Sequence, residues 1–92
     1  MQVKTGKRPP YKSGPNSGWS PKFYSYKGNG LTVEAVQDLN SETFSVVYAS
    51  TLIIGNTAEV TAKRVAERVI NSGAENIKEM RDAAREFLDG LA

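Results

Sequence analysis

The sequence predicts an α+β fold: a three-stranded antiparallel β-meander followed by two α-helices, preceded by a basic extended N-terminal arm. Three observations carry that prediction. Apolar residues alternate with period two in "LTVEAVQD" (31–38) and "TFSVVYAS" (43–50), as half-buried strands require. From Asn56 onward they recur every three or four positions, as amphipathic helices require. Before Phe23 there is no apolar period.

Residues 1–20 therefore read as an arm, and residues 21–92 as a small α+β domain. Pro9, Pro10 and Pro15 remove backbone donors, and Gly6, Gly14 and Gly18 raise the entropy cost of ordering. Taken alone, this stretch is expected to be disordered, with a short polyproline II turn at Pro9-Pro10. "KFYSYK" (22–27) reads as the first strand and "KGNG" (27–30) as a turn that tolerates positive φ. In the second strand Leu31, Val33 and Ala35 share a face; in the third, Phe44, Val46 and Tyr48 do. Leu52-Ile53-Ile54 either extends the third strand or packs as a bend against the sheet, and Gly55-Asn56 ends it.

Asn56 and Glu59 have the spacing of a helix start. Ala58, Ala62, Val65, Ala66, Val69 and Ile70 then gather on one arc, and alanines spaced by four make a smooth seam. Asn71-Ser72-Gly73 closes this helix. Ser72 and Glu75 repeat the capping spacing before a second helix, expected over 74–89. Ile77, Met80, Ala84, Phe87 and Leu91 step along it by three and four. That stripe serves either as core or as an oligomer interface, and a homo-oligomer is one expectation it raises. The order of elements resembles double-stranded RNA-binding domains and the arm-binding domains of tyrosine recombinases. The likeness is one of layout: "NTAEVTAK" stands where the former carry a Lys-Lys-x-Ala-Lys helix start.

Composition excludes much chemistry. There is no cysteine and no histidine, which removes thiolate chemistry, the commonest general base and the commonest metal ligands. No Asp-x-Asp-x-Asp-Gly calcium loop is present. Glu75, Glu79, Asp82 and Glu86 lie at helical spacing, interleaved with Lys78 and Arg85, as the wet face of a helix does. "GNGLTV" precedes a strand, so it is a turn and no phosphate cradle. The expectation is a non-enzyme without cofactor or metal.

Charge is unevenly spread. Residues 1–33 hold Lys4, Lys7, Arg8, Lys12, Lys22 and Lys27 and no carboxylate. Residues 34–92 hold six cations against ten carboxylates. Tyr11, Trp19, Phe23, Tyr24 and Tyr26 are interleaved with the N-terminal cations, as in single-strand binders, where lysine meets phosphate and aromatic faces take bases; Phe23, Tyr24 and Tyr26 also serve as core if their strand forms. The expected function is non-catalytic binding in which this arm engages an anionic partner, most simply nucleic acid, through Lys4, Lys7, Arg8, Tyr11, Lys12, Trp19, Lys22 and Lys27. The alternative is a protein–protein module, either a viral or phage-type assembly subunit or a small inhibitor of a host complex. In that case the arm meets an acidic protein surface and the second helix supplies an interface. With no apolar leader and no membrane-length run, the expected setting is the cytoplasm, or a host cytoplasm or virion for a virus-encoded chain.

Overall fold

The computed structural model describes residues 1–15 and 17–91. Its α+β architecture is one antiparallel sheet with two helices on one face. The strands are β1 (Gln2–Lys7), β2 (Lys22–Gly28), β3 (Leu31–Gln37), β4 (Phe44–Tyr48) and β5 (Thr51–Thr57), and they lie side by side in chain order. The helices are α1 (Glu59–Asn71) and α2 (Ile77–Leu91).

The sheet thus has five strands where three were expected, and both additions have a physical reason. β1 lies inside the stretch read as an arm. All six of its residues are exposed, so it leaves no alternation to read, and it pairs with β2 on one side only, Val3 opposite Tyr26 and Thr5 opposite Tyr24. β5 holds Leu52-Ile53-Ile54 and is separated from β4 by a two-residue turn. Ala49 and Ser50 form that turn at φ 49° and 64°, the doubly left-handed geometry that hairpins favour and that Asn-Gly normally supplies. Asn29-Gly30 makes the equivalent turn between β2 and β3 with the usual residues, at φ 53° and 77°.

The helix starts also differ from expectation. Asn56 sits within β5 at φ 51°, and α1 begins after Ala58 without a side-chain cap. The Ser72 hydroxyl closes α1 instead of opening α2: it donates to the Val69 carbonyl at 2.7 Å and accepts the Ala74 N–H at 3.2 Å. The reciprocal cap of α2 stands four residues later. Asn76 Oδ1 accepts the Glu79 N–H, and Glu79 Oε1 accepts the Glu75 N–H, each at 2.9 Å.

The core joins Tyr26, Val33, Ala35, Phe44, Val46 and Ile53 of the sheet to Ala62, Val65, Ala66, Val69 and Ile70 of α1 and Met80 and Ala84 of α2. α1 lies over β2, β3 and β4; α2 packs on α1 and on β5. The Arg81 guanidinium donates twice to the Leu52 carbonyl, at 2.9 and 3.2 Å, tying α2 to that sheet edge. Close packing persists to the end of β2, where a Cβ on Gly28 would stand 2.8 Å from Ile70 Cγ2. The opposite face of the sheet carries no helix.

The Ala49-Ser50 turn stores removable strain, since left-handed backbone costs a residue with a Cβ about 1–2 kcal/mol. Ala49→Asn combined with Ser50→Gly is expected to raise stability by about 1–2 kcal/mol. Urea unfolding should show this as a higher midpoint at unchanged slope.

Candidate polyanion interface on the N-terminal hairpin

β1 and β2 form a hairpin whose pairing runs on past the strand ends. The Arg8 N–H donates to the Pro21 carbonyl, the Tyr11 N–H to that of Trp19, and the Gly18 N–H to that of Tyr11, each at 2.9 Å. Ser17 N–H to Gly14 carbonyl, at 3.1 Å, closes the tip. Gly14 and Gly18 have φ of 85° and 88°, conformations that need glycine. The glycines that read as arm residues therefore serve a tight reversal. Lys22 N–H donates to Gln37 Oε1 at 3.1 Å, fixing the base of the hairpin to β3.

Strand alternation sorts the hairpin's cations onto two faces. Lys4 lies opposite Ser25, Gln2 opposite Lys27, and Gly6 opposite Phe23; these point away from the helices. Lys7 and Lys22 lie directly opposite each other, with the parity of Tyr24 and Tyr26. Lys12 is exposed near the tip. Tyr11 is exposed. Trp19 is half-buried beside a depression bordered by Gln37, Asn40, Ser41 and Glu42, and its indole Nε1 has no acceptor among the described residues. So Lys4, Arg8 and Lys27 share the helix-free face, whereas Lys7 and Lys22 do not.

Phe23, one of the interleaved aromatics, and Glu34, which lay outside the expected set, complete this face. The Phe23 ring lies across Gly6, where a Cβ would meet it at 3.2 Å. The Arg8 guanidinium stands 5.1 Å from the Phe23 ring centroid and makes a 2.6 Å ion pair with Glu34 of β3. Glu34 lies 26 positions from Arg8, so only strand register brings them together. An open groove of about 490 Å³ runs beside them, lined by Gln2, Val3, Lys4, Ser25 and Lys27. The five hairpin lysines have no ion pair among the described residues, and like charges such as Lys7 and Lys22 in direct opposition destabilise a strand pair.

The stripe of α2 divides. Met80 and Ala84 are fully buried, Ile77 and Phe87 are half-buried against the same core, and Leu91 is exposed. Among the described residues no three acidic side chains gather as a cation site, and no helix is long and apolar enough to cross a membrane. Comparison with known protein families, curated proteins and solved structures finds no match. Function is therefore read from the hairpin's own chemistry.

On the helix side, two tyrosines hold their protons more tightly than usual. The Tyr24 hydroxyl donates to the Glu59 carboxylate, and that hydrogen bond, with burial and the Glu59 charge behind it, raises its pKa. Burial, and then the charge of Glu67, raises that of Tyr26. Raised folded-state values mean that this stabilisation is fully present below about pH 10, the ordinary tyrosine value, and is lost as pH climbs through the folded ones. Thermal stability should fall as pH rises above about 10, and Tyr24→Phe should make the fall shallower.

Proposed function

We propose that the protein is a non-catalytic binding protein whose N-terminal hairpin engages nucleic acid. The observation that carries this reading is the excess charge of the hairpin: six cations, no carboxylate within it, and, among the described residues, an ion pair at Arg8 alone of the six. Lys7 and Lys22 lie opposite each other in register, and with no ion pair to either among the described residues they add to the hairpin's positive potential. The Arg8–Glu34 pair is partly exposed, with 43% and 30% of the two side chains open to solvent. Such pairs contribute about 0–1 kcal/mol, so exchanging the carboxylate for a phosphate costs little. Glu34 then acts as an internal competitor that tempers affinity.

Anisotropy titration of labelled oligonucleotides at three salt concentrations tests the reading. Four to six phosphate contacts give a log–log salt slope of about −3 to −5. Glu34→Gln, by releasing Arg8, should tighten binding and steepen the slope by about 0.7–0.9. No binding of any oligonucleotide at low salt would overturn the proposal and leave an acidic protein surface as the hairpin's partner.

A further inference from the structure

We infer that the nucleic acid is single-stranded and lies across the helix-free face of the sheet. Its phosphates meet Lys4 and Lys27, and a base stacks at Phe23 and Arg8. This rests on the nucleic-acid reading above and specifies its strand type and its face.

The face is built in rows. One row holds Lys4, Ser25, Glu34, Val47 and Leu52; the next holds Gly6, Phe23, Val36 and Ser45. The rows are two residues apart along the strands, about 6.8 Å. The groove at Lys4 and Lys27 presents two cations with the neutral donors and acceptors of Gln2 and Ser25, groups suited to phosphate and sugar. One row along, Phe23 and Arg8 present an aromatic ring and a guanidinium plane, the two side-chain types on which bases stack. A cationic groove with a stacking platform beside it matches an extended strand whose bases are free. A duplex hides its base faces, so Phe23 and Arg8 would have nothing to stack on.

The other route to a duplex is insertion of the ribbon into the major groove. A ribbon entering end-on would lead with residues such as Ser13, Gly14, Ser17 and Gly18, which carry no charge, with Lys12 alone just behind them. The hairpin's positive charge lies along its body instead, beside the open face. Gly6 supports the platform: a Cβ there would stand 3.2 and 3.4 Å from two atoms of the Phe23 ring, so the missing side chain gives the ring its place beside β1.

The test compares labelled single-stranded and duplex oligonucleotides of equal length and mixed sequence at one low salt concentration. The single strand is expected to bind at least about tenfold more tightly, the effect of one stacked base. Phe23→Leu should cut single-strand affinity about tenfold with the salt slope unchanged. Lys4→Gln with Lys27→Gln should instead make that slope shallower by about 1.4. Circular dichroism confirms that each variant is folded. Should Phe23→Leu not fold, Arg8→Lys keeps the charge but removes the guanidinium plane, and it must show a comparable loss. Duplex bound as tightly as single strand, or a folded Phe23 variant of unchanged affinity, would overturn the inference and leave nucleic-acid binding standing. Failure of both oligonucleotides to bind would overturn both.

Discussion

α1 approaches the sheet through alanine. Ala62 and Ala66 are fully buried, one turn apart, in the same core as Val33, Ala35 and Val46. Small side chains bring the helix axis close, and the residues between and after them, Val65, Val69 and Ile70, fill the space on either side. Dispersion and apolar burial both depend on this proximity. α2 packs on α1 and on β5, and Met80 and Ala84 are buried in the core that it shares with α1. Once both helices lie on one face, the other is left to water, and the residues there are free to be chosen for binding.

What the sequence revealed follows from how each residue is used. Strands with one buried face announce themselves, which is why residues 31–37 and 44–48 were readable, and the Asn29-Gly30 turn carried its own signature. α1's apolar arc was equally legible, with Ala58 left outside at the cap. β1 was not, because an edge strand with no buried residue has no pattern to show. β5 was merged with β4 because Ala49-Ser50 adopts a turn that its residue types do not advertise. The capping residues were misplaced because Asn and Ser near a helix start bond to whichever backbone group lies nearest, and tertiary context decides that.

The candidate site divides along similar lines. Its cations stood out as a cluster without carboxylates. Their sorting onto two faces depends on register, as does the meeting of Arg8, Phe23 and Glu34, and register across a fourteen-residue connection is not written in local sequence. The Gly/Pro content of that connection suits an unordered tail and a tight reversal equally well, because Gly raises the entropy cost of ordering a tail and also supplies the positive φ that a reversal needs. Only the ladder from Arg8 to Trp19 distinguishes them.

Because strand order equals chain order, each strand is joined to the core through its sequence neighbours, and β1 stands last in that series. All six of its residues are exposed, and its strand pairing is with β2. Detaching it breaks one ladder and leaves the packing of α1 on the central strands intact. An edge segment with few buried contacts belongs to the part of a fold that opens locally at low free-energy cost, and here that segment carries Lys4 and Lys7. A ligand that bridges β1 and β2 binds the closed form alone, and by mass action it fastens the edge of the sheet as it is held.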